Sequence, residues 1–228
     1  MFLENIPLSI KGIITSIKRE KEVEKMEEKI NGRHFAEKGR REKGLLRLRK
    51  EEIVEIYETH MVQDFLKSEL KPLSSILQMM DKGLYECLGF FAEGEMKAYV
   101  FSLTDRERGF LLLDYLAVCE SHRGEGWGSH CIGMLREFYR KEKGLLLECE
   151  SLESAENEEE REQRRRRIAF YEKNGCVCTG VKSRLFGVEF DILYLSLLKK
   201  QADAARELER LYRKMLPDKI YEKQVKIW

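Results

Sequence analysis

Gly109–Ser129, GFLLLDYLAVCESHRGEGWGS, is the stretch on which the fold turns. Phe110 to Val118 is almost continuously apolar, with Asp114 its single charge, and this suits an interior strand covered on both faces. Gly124, Gly126 and Gly128 then alternate with Glu125 and Trp127. Lacking Cβ atoms, such glycines let backbone come close to a ligand. From Trp127 the apolar positions fall at 131, 134, 135 and 138, one stripe of a helix with Arg136, Glu137, Arg140 and Lys141 opposite. A strand that feeds glycines into a helix N-terminus makes an anion site, because unpaired amides and the helix dipole converge there. Two familiar phosphate loops are excluded: no Lys-Ser/Thr pair closes the turn, and the spacing is G-x-G-x-G rather than G-x-G-x-x-G.

Leu116-Ala117-Val118, followed by Arg123-Gly124-Glu125-Gly126-Trp127-Gly128, resembles the acyl-CoA motif Q/R-x-x-G-x-G/A of the GNAT superfamily of N-acetyltransferases. Arg123, Gly126 and Gly128 fill its fixed positions. A second match lies downstream, where Ile168-Ala169-Phe170-Tyr171-Glu172-Lys173-Asn174-Gly175-Cys176 is similar to the family's FYEKxGF segment. The resemblance spans about residues 44–198 and implies an α/β GNAT fold, a mixed central sheet of six to seven strands flanked by helices. It implies acetyl-CoA as cosubstrate and an amine acceptor, with transfer by direct attack. The strand ending Leu116, Ala117, Val118 would splay from its neighbour and hold pantetheine like an added strand. Amides of Arg123, Gly124, Glu125, Gly126, Trp127, Gly128 and Ser129 would hold the diphosphate. Tyr171 matches the tyrosine that the family commonly places near the sulfur as general acid.

The base is read from position. Glu148 comes first and Glu150 second, both on one face at the end of the strand Leu145–Glu150 that should flank the splay. Asp114 is a third candidate, because a charge inside an apolar strand needs a partner. The chain departs from the family seven and four residues before Tyr171, where Arg164 and Arg167 stand in place of Asn and Ala. An arginine at 164 could reach a phosphate. The tetrad Arg164–Arg167 reads as solvated helix surface, since consecutive helical residues point in different directions.

Outside this core, residues 1–43 read as a charged N-terminal extension with a helix over Arg19–Ile30, and 199–228 as a C-terminal helical tail. Helices are expected at 51–60, 74–80, 126–143, 161–173 and 201–215, and an acidic loop at 151–160. At 228 residues, 43% hydrophobic, the chain can bury a large core, and a net charge of +1 argues against a general nucleic-acid or membrane binder. No stretch reads as a signal or a membrane span, and six scattered cysteines read as reduced thiols, so the expectation is a cytoplasmic protein. Cys119, His122, His130 and Cys131 lack zinc-site spacing, so no metal is expected. The resemblance leaves a homodimer open. It also leaves a second functional class, an acyl-CoA-binding or docking module that serves a protein or RNA partner without turnover.

Overall fold

The computed structural model describes residues 43–67, 69–198 and 202–228. The helix expected over Arg19–Ile30 lies outside the described residues. The described residues fall into two units, 49–78 and 43–48 together with 79–228.

The smaller unit is helical. Its first helix α1 (Lys50–Ile56) opens with a reciprocal box in which the Arg49 N–H donates to Glu52 Oε2 at 2.8 Å. The helix continues through a π-helical turn (Tyr57–Met61) into Val62–Asp64, so it runs beyond the expected 51–60. Tyr57 donates its hydroxyl to the Lys71 carbonyl at 3.0 Å. From here α2 (Leu73–Asp81) leads on into the sheet unit.

The larger unit is built on one sheet. Its strands are β1 (Gly44–Arg47), β2 (Tyr85–Ala92), β3 (Glu95–Asp105), β4 (Phe110–Val118), β5 (Gly144–Glu150), β6 (Val177–Leu185), β7 (Val188–Ser196) and β8 (Val225–Ile227). Their order is β1-β2-β3-β4-β5-β7-β6-β8. Every neighbouring pair is antiparallel except β4 and β5, which run parallel around the crossover helix α3 (Trp127–Phe138). A parallel neighbour needs such a crossover, and the apolar runs of β4 and β5 match strands covered on both faces. The eighth strand exceeds the six to seven expected. Val225–Ile227 pairs with β6, and Lys182 and Trp228 exchange backbone hydrogen bonds at 2.8 and 3.0 Å. The segment 199–228 therefore supplies a sheet edge as well as helices α5 (Ala204–Met215) and α6 (Asp218–Gln224). α5 buries Leu208, Leu211 and Tyr212, the i, i+3, i+4 face of an amphipathic helix.

Two helix boundaries differ from expectation for local reasons. The helix α4 (Glu158–Lys173) starts inside the expected acidic loop, because Asn157 caps it by accepting the Glu160 N–H at 2.9 Å. Three glutamates in its first turn also complement the helix dipole. α3 stops at Phe138, well short of 143: Tyr139 is buried and donates to Glu86 at 2.6 Å, and Lys143 N–H donates to the Gly109 carbonyl at 2.7 Å, which turns the chain into β5.

One core joins these elements on the α3/α4 face of the sheet. Leu111, Leu113, Leu145, Leu147, Cys149 and Leu193 meet Cys131, Ile132 and Leu135, with Leu116, Val118, Phe170 and Tyr171 packed against them. At Gly144, the start of β5, an added Cβ would overlap the Tyr194 ring. Gly144→Ala is therefore expected to cost about 1–3 kcal/mol by overpacking, read as a lower urea midpoint.

Candidate active site

β4 and β5 are paired from Phe110↔Gly144 only as far as Leu113↔Leu147. Both strands then continue, β4 to Val118 and β5 to Glu150, each paired on its outer side alone. The cause is local. Ser102 of β3 pairs with Leu113, and Phe101 pairs with Tyr115, so Asp114 is an extra residue, a β-bulge. A bulge bends its strand and sharpens the twist, and β4 leaves β5 at this residue. The result is a crevice in the middle of the sheet, edged by the backbone of Leu116, Ala117 and Val118 on one side and of Glu148 to Glu150 on the other.

The glycine turn follows directly. A short 3₁₀ turn at Glu120–His122 leads to Gly124, φ +83°, and Gly126, φ +85°. Gly126 is the residue that caps α3, and no side chain caps the helix in its place. The amides of Trp127, Gly128 and Ser129 form the first turn, whose N–H groups have no intrahelical acceptor. A Cβ at Gly124 or Gly126 would meet no neighbouring atom within 4 Å, while one at Gly128 would lie 3.2 Å from the Phe170 ring. The first two glycines thus serve conformation and leave the turn's outer surface open, whereas the third serves packing of α3 on α4. Arg123 opens the turn. Its amide donates to the Glu120 carbonyl and its Nε to the Val118 carbonyl, both at 3.3 Å, so it braces the turn from within. Glu125 accepts from the Trp127 indole at 2.8 Å.

Tyr171 lies near the end of α4, in the same cluster as Leu116, Val118 and Cys149. Burial pushes its phenol well above the ordinary value; Cys149 and Cys176 add to the rise and Arg167 opposes it. Among the described residues its hydroxyl has no hydrogen-bond partner.

The three carboxylates fare differently. Glu148 accepts from the Tyr212 hydroxyl of α5, and Tyr212 is also 3.1 Å from Ser183 Oγ. Asp114 accepts from the Tyr85 hydroxyl of β2. Burial first, then the neighbouring carboxylate, raises the pKa of both phenols, so each remains a neutral donor. Glu150 turns to α4 instead, 3.5 Å from Arg164 and 3.9 Å from Arg167. Glu148 and Cys149 alternate on β5, so Glu148 and Tyr171 approach the crevice from opposite faces of the sheet. Sequence pattern could not find Tyr85 or Tyr212. Their hydroxyls arrive from strands and helices distant in the chain, and neither residue sits in a motif.

Arg164 corrects two expectations. It is buried, donating to the Ser151 carbonyl at 2.5 Å and Ser154 Oγ at 2.9 Å and pairing with Glu160, so it is neither solvated surface nor available to a phosphate. Its three successors are exposed: Arg165 and Arg166 pair with Glu162, and Arg167 lies near Glu150.

Five of the six cysteines are buried and Cys178 is exposed, all as free thiols. Burial lifts Cys131 and Cys149 to about 12, which leaves them protonated and poor nucleophiles. Among the described residues no group of three or more His, Cys, Asp or Glu is placed to hold a metal ion, and no helix is long and apolar enough to cross a membrane.

No protein-family sequence model and no curated protein sequence matches the chain. Solved structures do. A GNAT-family acetyltransferase from Bacteroides thetaiotaomicron matches with a TM-score of 0.58 at 18% identity, covering 75% of this chain and 94% of that one. The spermidine N-acetyltransferase of Vibrio cholerae, solved with CoA and spermine, matches with a TM-score of 0.53 at 11% identity, covering 68% and 95%. The ribosomal-protein-S18-alanine N-acetyltransferase of Escherichia coli matches with a TM-score of 0.51 at 15% identity, covering 70% and 96%.

Proposed function

From a chain that has the fold of the GNAT acetyltransferases, we propose an acyl-CoA-dependent N-acyltransferase that moves acetyl from acetyl-CoA to a primary amine. The observation that carries this reading is the crevice beyond Leu113 and Leu147, which opens beside the glycine-capped start of α3. The backbone of Leu116, Ala117 and Val118 holds the pantetheine amides as a strand would, and the amides of residues 124–129 hold the diphosphate. The thioester carbonyl then lies in the crevice, where a backbone N–H of β4 polarises it as the amine attacks.

Chemistry divides between the two faces. On one, Tyr171 gives its proton to the departing thiolate; its raised pKa keeps it protonated through the working range, so it loses no activity on the alkaline side. On the other, Glu148 takes a proton from the acceptor's ammonium and so frees the amine lone pair to attack, its carboxylate oriented by Tyr212. Asp114 is held by Tyr85 at the bulge and helps to attract the cationic acceptor. Acetyl-CoA is consumed as cosubstrate, and no metal enters the reaction.

Thiol release from acetyl-CoA, followed across a panel of small amines and peptide N-termini, tests the reading. Turnover with at least one amine is expected, and in that assay Glu148→Gln should slow kcat about tenfold while leaving CoA affinity intact. A protein that gains thermal stability on CoA addition yet releases no thiol with any acceptor would instead be the binding module.

A further inference from the structure

Lys97 lies in β3, outside the crevice and the glycine turn, yet its side chain is only 5% exposed. Its Nζ is 3.0 Å from Glu95, 3.4 Å from Glu93 and 3.4 Å from His122 Nε2, and it lies 5.6 Å from the centre of the Trp127 ring. Its carbonyl accepts the Cys119 N–H at 3.0 Å, just after β4 ends. The contacts continue into the turn. His122 Nδ1 is 3.7 Å from Glu125, and Glu125 accepts from Trp127, the first residue of α3.

One lysine thus ties the β2–β3 hairpin to three residues that surround Gly124 and Gly126. This arrangement answers an electrostatic problem in the turn itself. A carboxylate at Glu125, between two glycines that face a diphosphate, repels the ligand if it swings free. Here the Trp127 indole and His122 draw that carboxylate toward the hairpin, and Lys97 holds both the histidine and the indole ring.

We propose that Lys97 is a positioning residue for the diphosphate turn, fixing His122, Trp127 and through them Glu125, so that the turn meets the coenzyme with its amides rather than with its carboxylate. The inference rests on the acyl-CoA reading of the turn, and it adds a residue that the motif does not contain.

Lys97→Met keeps most of the buried stem and removes only the charge, and the acids it leaves are solvated, with Glu93 and Glu95 exposed by 77% and 61%. The variant should therefore fold. Calorimetric titration of the full chain with CoA is expected to show affinity weakened about tenfold in Lys97→Met and restored in Lys97→Arg, with the ligand-free thermal midpoint unchanged. His122→Ala, which cuts the link while leaving the lysine, should weaken CoA in the same direction. It decides the matter if Lys97→Met unfolds. Unaltered CoA affinity in both variants overturns the assignment, as does a loss that Lys97→Arg fails to restore. Failure of the wild-type chain to bind CoA removes the diphosphate reading itself and this inference with it.

Discussion

Gly126→Glu loses CoA binding by at least about 100-fold, measured by calorimetric titration, because it acts on the ligand's charge and on the turn's shape together. Gly126 has φ +85° and ends the turn as the cap of α3. A side chain there is strained, and a carboxylate stands where first-turn amides would otherwise face an anion. Since no atom lies within 4 Å of its Cβ position, the added bulk points into open space and the core is untouched. Gly126→Ala separates the two contributions. It carries the backbone strain alone, expected at about 1 kcal/mol of stability, and should bind CoA far better than the glutamate variant. Full CoA affinity in Gly126→Glu would remove the turn from the site.

Tyr171→Phe is the second large effect. The ring packs with Phe170 at 5.2 Å between centroids and against Cys149, and those contacts survive the substitution. What disappears is one hydroxyl that, among the described residues, bonds to nothing and therefore stabilises nothing by its absence or presence in the free protein. A drop in kcat of about 100-fold with acetyl-CoA affinity unchanged is expected, as for loss of a general acid. Equal rates for the two proteins would return Tyr171 to packing. Steady-state kinetics with the best amine of the panel makes the comparison.

The glycine turn is legible in the sequence because local rules govern it, whereas Tyr171 enters only through its resemblance to a family segment. A glycine that needs a left-handed backbone, and a helix that must begin there, depend on neighbours a few residues away. The parallel pairing of β4 with β5 was legible for a similar reason, since a strand, a helix and a strand of that length allow little else. Asp114 shows where this legibility stops. A charge in an apolar strand signals a partner, yet neither Tyr85 nor the bulge can be read from FLLLDYLAV, because the bulge exists only relative to the register of β3. Glu148 and Glu150 share a face by periodicity, but their partners come from different elements: a phenol of α5 for one, and two guanidinium groups of α4, reached from the end of the strand, for the other. Arg164 was misread because its run of four arginines suggests solvent, while the carbonyl of Ser151 and the hydroxyl of Ser154 make a buried guanidinium tolerable.

The four-residue seam between β4 and β5 has a consequence for how the sheet assembles. On either side of it the strands join antiparallel, several through tight hairpins whose closure is cheap in chain entropy. The seam itself must wait for the whole intervening helix to be reeled in, and it is rewarded by only four residue pairs. The tight hairpins are thus the natural early products of folding, and the seam closes later, together with the still longer loops that join β1 to β2 and β5 to β7.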